Sequence, residues 1–168
     1  MSLDLQAIRA QFPLQDAVYF DNPAGTQVPQ RVIDAVSHYY RTMNANSGGA
    51  FATSQRTDAM VQTVREKMAD FLNAPSAAEI VFGPNMTTLN FSLSRAIAKT
   101  LSPGDEIVLT RMDHDANVSP WLLIAQDYGL VVRWVDIHTG DCTLDMDSLE
   151  AALTDRTKVV ATVHASNA

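Results

Sequence analysis

Cysteine occurs once in these 168 residues, as Cys142. No internal disulfide can form, and a reducing cytoplasmic setting is the expectation. No run of Lys or Arg interrupts a formal net charge of −7, which argues against nucleic acid and anionic membrane surfaces as partners. No apolar stretch approaches the roughly 20 residues needed to span a bilayer. Residues 1–14 lack a basic segment followed by an apolar one, so they do not read as a signal peptide. Internal repeats and low-complexity linkers are absent. So are Walker-type Gly-Lys-Ser/Thr and Gly-x-Gly-x-x-Gly, and with them the indication of a nucleotide. Gly-x-Ser-x-Gly and His-Glu-x-x-His are also missing.

What is present is an ordinary globular mixture, 46% hydrophobic and 18% charged, long enough for one domain with a real core. Residues 5–12 read as a short amphipathic helix. Val18-Tyr19-Phe20 is β-prone and ends in the turn-rich Asp21-Asn22-Pro23-Ala24-Gly25. Helical spacing of Val32, Ile33, Val36, Tyr39, Tyr40 and Met43 predicts a helix over 29–43. A second helix is predicted over 54–72, with Met60, Val61, Val64, Met68, Phe71 and Leu72 as its buried stripe. Between them lies a loop with Gly48-Gly49, read as flexible more readily than as a close backbone approach.

Strands and helices then alternate. Strands are predicted at 79–82, 106–110, 131–137 and 158–163, and helices over about 85–100, 119–128 and 147–153. Ser119 reads as the cap of the middle helix, with Pro120 in its first turn and Gly129 as its stop. Asp147-Ser148-Leu149-Glu150 has the spacing of a capping box. Such alternation implies βαβ units and a parallel sheet. A parallel sheet needs cover on both faces, so an ending just after a strand reads as a fragment.

Two places attract chemistry. The turn Asn85-Met86-Thr87-Thr88 opens a helix, where free N–H groups and the helix dipole favour an anion. Its other reading is a Thr cap without a ligand. His114 follows the strand 106–110, where open α/β sheets bind ligands. Flanked by Asp113 and Asp115, it reads as a solvated loop histidine or, with the two carboxylates, as a metal ligand. His138 reads as turn surface, and Cys142 has no sequence-near His partner to make it a nucleophile.

Four segments in register carry a resemblance: Val18-Tyr19-Phe20-Asp21-Asn22-Pro23-Ala24-Gly25, Glu79-Ile80-Val81-Phe82, Asp113-His114-Asp115-Ala116-Asn117 with Pro120-Trp121, and His164-Ala165-Ser166-Asn167. Together they resemble the N-terminal part of a class V aminotransferase of the cysteine desulfurase-like group, which uses pyridoxal 5'-phosphate (PLP). The resemblance implies an α/β fold, the incomplete large domain of a fold type I PLP-dependent transferase, with a mostly parallel sheet and flanking helices. It divides the chain into an N-terminal arm and helix over 1–50 and the first part of the PLP-binding domain over 51–168. It implies that Met86 and Thr87 bind the cofactor phosphate, that His114 stacks on the pyridine ring and assists proton transfer, and that Asn167 lies beside the phenolic oxygen.

Asn85-Met86-Thr87 stands where members usually have Gly-Thr-Thr or Gly-Ala-Thr; Asn tolerates left-handed backbone angles, which preserves such a turn. The resemblance also places strand 106–110 between 131–137 and 158–163, with 79–82 at the far edge. An amino-acid substrate and a homodimer are further implications. The Schiff-base Lys, the Asp facing the pyridinium and the desulfurase Cys would lie beyond Ala168, leaving the fragment inactive alone. The competing reading is a non-catalytic α/β interaction module without a cofactor.

Overall fold

The computed structural model describes residues 3–14 and 18–166. The chain divides into two compact units, Met1–Val81 and Phe82–Ala168.

The first unit is helical. Asp4 caps α1 (Leu5–Arg9) by accepting from the Gln6 and Ala7 amides. Helix α2 (Gln30–Thr42) and helix α3 (Ala52–Leu72) follow. The loop between them is built rather than slack. Ser54 Oγ accepts from the Gly49 amide at 2.7 Å and donates to the Asn46 carbonyl at 2.5 Å. Thr57 Oγ1 donates to the Met43 carbonyl, and the Asp58 carboxylate accepts from the Gly48 amide. Gly48 sits at φ +79°, and a Cβ on Gly49 would meet the Phe51 ring at 2.5 Å. Gly48 therefore serves the left-handed backbone and Gly49 the close approach, rather than flexibility.

The expected apolar stripe of α3 is only partly buried. Phe71 is 81% and Leu72 59% exposed, whereas Ser54, Thr57 and Ala69 are buried. Helical periodicity selects a face, but burial also needs something to cover it. Asn73 ends α3 in the left-handed region at φ 54°.

No strand forms at 79–82. Ala77–Glu79 is instead a 3-10 turn capped by Ser76 Oγ, followed by extended chain without a ladder partner among the described residues. The apolar run Ile80-Val81-Phe82 was too short to distinguish a strand from a connector, and only Ile80 of it is buried.

The second unit is α/β. It contains α4 (Met86–Ala98), β1 (Glu106–Thr110), α5 (Ser119–Tyr128), β2 (Val131–Val135), a hairpin of β3 (Ile137–His138) and β4 (Thr143–Leu144), α6 (Met146–Ala152) and β5 (Thr157–Ala161). The parallel sheet has the order β2-β1-β5, as the resemblance implied for these three strands. Strand β1 is buried along its whole length, as a central parallel strand must be. Ile107 and Leu109 join the core of Ala98, Trp121, Ile124 and Ala125, while Val108 packs with Val135 and Ala152. Alternate residues of β1 thus meet α4 and α5 on one face and α6 on the other.

Three local expectations need correction. The strand at 131–137 stops at Val135, and Ile137 starts the antiparallel hairpin. Ser119 lies inside α5, whose cap is Val118; its hydroxyl donates to Asp115. Helix α6 is capped by Asp145, two residues before the expected box, through the Ser148 amide at 2.9 Å.

Candidate functional site

The amino end of α4 begins with Asn85, whose side-chain oxygen accepts from the Thr88 amide at 2.8 Å while its carbonyl accepts from Leu89. Its backbone is extended, at φ −168°, so Asn is used here as a cap and not for left-handed geometry. The cap leaves the Met86 and Thr87 amides without an acceptor among the described residues. Both residues are exposed. Two open N–H groups, a helix dipole of thirteen residues and the Thr87 hydroxyl make an end suited to a phosphate or carboxylate.

His114 lies on the turn after β1. It caps the 3-10 helix Asp115–Asn117, with Nδ1 accepting from the Ala116 amide at 3.0 Å and its carbonyl accepting from the Asn117 amide. An occupied Nδ1 lone pair puts the proton of the neutral ring on Nε2. The ring is exposed, so Nε2–H is free to face a bound group. The flanking carboxylates point elsewhere. Asp113 takes hydrogen bonds from Thr110 Oγ1 and Asn117 Nδ2, and Asp115 takes one from Ser119. Among the described residues no cluster of His, Cys, Asp and Glu suits a metal.

The two parts are tied together by Asn90, in the second turn of α4. Its Nδ2 donates to the Ala116 carbonyl at 3.0 Å and to Asn117 Oδ1 at 2.8 Å. Asn117 Oδ1 also accepts from Trp121 Nε1 at 3.3 Å. The open end of α4 and the His114 turn therefore belong to one hydrogen-bonded assembly at the carboxyl edge of the sheet. Sequence reasoning passed over Asn90, because nothing local marks a residue whose partners lie 26 and 27 positions away.

Asn167 lies outside the described residues. Ser166 Oγ, just before it, donates to the Met112 carbonyl at 3.1 Å, so the chain after β5 returns to the loop that carries His114. The remaining candidates, His138 and the exposed Cys142, lie on the β3–β4 hairpin, where the Cys142 amide donates to the His138 carbonyl. Asp141 is held below the usual carboxylate range by the Thr143 hydroxyl and amide.

At the opposite end of β1, Glu106 is 5% exposed and receives Arg133 in a two-pronged contact at 2.6 and 2.9 Å, with Thr154 Oγ1 at 2.7 Å. The Arg133 hydrogen bonds and then the Thr154 hydroxyl hold its carboxyl below the usual range, against the opposing effect of burial.

A model of the Aminotransferase class-V family matches residues 18–168. A probable cysteine desulfurase from Streptomyces coelicolor is 38% identical over 184 aligned residues, which take in 98% of this chain and 43% of that protein. Among solved structures, the apo cysteine desulfurase from Thermococcus onnurineus NA1 superposes with a TM-score of 0.89 at 30% identity, over 98% of this chain and 41% of that one. The cysteine desulfurase CsdA from Escherichia coli superposes with a TM-score of 0.79 at 33% identity, over 95% and 41%. The chain thus spans about two-fifths of the length of the relatives it matches.

Proposed function

The chain belongs to the class-V aminotransferase family, with cysteine desulfurases among its relatives, and from that premise we propose that it builds the first part of a PLP site acting on an amino acid. The observation that carries this reading is the joining of an open helix end and an exposed, tautomer-fixed histidine by Asn90. The donor set fits the cofactor. Met86 and Thr87 would hold the phosphate through amides and a hydroxyl, His114 would lie against the pyridine ring, and Asn167 would meet the phenolic oxygen. PLP, when bound, supplies the electron sink for breaking a C–S or C–N bond of the amino acid.

The chain's own residues have simpler tasks. The α4 end neutralises the phosphate charge and fixes where the cofactor sits. His114 offers Nε2–H toward the bound group and can carry a proton there. The proposed setting is a cytoplasmic homodimer, with residues 51–168 as the first part of the cofactor domain, and the exposed single thiol of Cys142 suits a reducing compartment.

The covalent lysine that this chemistry requires is proposed to lie outside residues 1–168. Of the three lysines, Lys67 belongs to α3 in the first unit, Lys99 stands at the far end of α4, about 20 Å of helix from Met86, and Lys158 sits near the amino end of β5, away from the carboxyl edge. Residues 1–168 incubated with PLP and L-cysteine are expected to release sulfide and alanine no faster than free PLP. Release above that control contradicts the assignment of the missing lysine.

A further inference from the structure

The sequence motif around His114 contains a residue whose contacts exceed what a surface turn needs. Asn117 makes three side-chain hydrogen bonds, to Asp113, Asn90 and Trp121. Their polarity is forced. The Trp121 indole only donates, so it meets the Asn117 oxygen; the Asp113 carboxylate accepts, so it meets the nitrogen. Asn90 must present nitrogen to the Ala116 carbonyl, and the same nitrogen reaches Asn117 Oδ1. Both amides have one satisfactory orientation. Trp121 is 3% exposed, so one partner of Asn117 is set in the core of the unit.

From this geometry we infer that Asn117 is a positioning residue: its carboxamide holds the turn that fixes His114 as the Nε2–H form, and Asn90 keeps that turn at the amino end of α4. The link runs through the backbone. Asn117 is the last residue of the 3-10 turn, and its amide donates to the His114 carbonyl at 2.8 Å. Ala116, one residue earlier, donates its amide to His114 Nδ1 and gives its carbonyl to Asn90. If the Asn117 side chain is removed, Asp113 keeps, among the described residues, only Thr110 as a side-chain partner, and Trp121 Nε1 and one Asn90 contact lose theirs. The turn is then held only by the Asn90 contact to the Ala116 carbonyl and the Asn117 amide bond to the His114 carbonyl, so it loosens and the Ala116 donor to Nδ1 weakens. The neutral ring can then place its proton on either nitrogen. This role rests on the reading of His114 as the cofactor's neighbour, but its physical content, one tautomer held by one amide network, does not need the cofactor.

The test is made on the full purified protein labelled with ¹⁵N-histidine, at a pH where the ring is neutral. Long-range ¹H–¹⁵N spectra distinguish protonated from bare ring nitrogens, and the His114 signals are those lost in His114→Gln. In the wild type His114 should show one bare nitrogen, Nδ1, and one protonated nitrogen, Nε2. In Asn117→Ala the two signals should move toward each other as the tautomers exchange. Asn90→Ala, which keeps the Asp113 and Trp121 bonds to Asn117, should move them in the same direction by a smaller amount. Thr154→Val removes a hydrogen bond to Glu106 at the other end of β1, so it should lower the melting temperature without moving the His114 signals.

Wild-type separation of the signals in a folded Asn117→Ala protein overturns the inference. Should that variant not fold, wild-type separation in Asn90→Ala overturns it equally. The cofactor reading fails separately, by absent PLP binding to a wild-type protein whose ring signals are as described.

Discussion

Glu106, at the start of β1, and His114, on the turn that follows it, show how differently a single residue can be used. Glu106 is a buried anion satisfied by Arg133 and Thr154, and its folded pKa lies below the ordinary value. A depressed carboxyl contributes stability above the unfolded pKa, near 4.3, and loses it as pH falls through the folded value. The melting temperature should therefore decline below about pH 4.3, and Glu106→Gln should flatten that acid limb while lowering stability at neutral pH. Thermal melts from pH 7 to 3 check this; an unchanged acid limb in Glu106→Gln assigns the decline to other carboxylates. His114 is the reverse case, exposed and fixed by one amide at Nδ1. Its motif was legible in the sequence because Asp113, His114 and Asn117 are neighbours. Its support was not, since Asn90 contributes from another helix.

At the level of elements, sequence and structure agree where the local signal is long and redundant. Helices α2, α3, α4 and α5 fall within a few residues of their expected bounds, and the stop at Gly129 is a left-handed cap at φ 66°. The strand β1 was legible as the apolar run Ile107-Val108-Leu109 breaking into a polar loop. Disagreements occur where two readings compete for a few residues. The run at 79–82 had no alternation to mark a strand and became a 3-10 turn with extended chain.

The start of α6 offers two acidic cap candidates, and only Asp145 reaches a free amide. That difference is measurable. Asp145→Ala should cost about 1 kcal/mol as a lost N-cap. Asp147→Ala should cost only about 0.3 kcal/mol, the value of a first-turn acid near the helix dipole. Denaturant melts of the two variants decide which cap operates; an equal loss in both would mean that Asp145 is not the dominant one.

For the molecule as a whole, the chain order of motifs carried more than any one of them. The fold class, the order β2-β1-β5 and the family were legible from segments spread over nearly the whole chain. The packing of α2 and α3 was less so: Val36 and Phe71 belong to recognisable stripes yet stand exposed, because periodicity names a face and not its cover. Among the described residues no helix is long and apolar enough to cross a membrane. The functional claim concentrates in the second unit, where Met86 and Thr87 head α4 and Asn90 ties that helix to the His114 turn.

Equilibrium binding of PLP to the full purified protein tests that claim most directly, followed by absorbance for the wild type, Thr87→Val and His114→Ala, with Cys142→Ala, on the β3–β4 hairpin, as a control. The account predicts saturable binding that weakens about tenfold or more in Thr87→Val and His114→Ala, as expected for the loss of one hydrogen bond to a charged group or one ring contact, roughly 1.5 kcal/mol each. Cys142→Ala should bind as the wild type does. Absence of saturable binding to the wild type, or equal affinity in all four proteins, would contradict it.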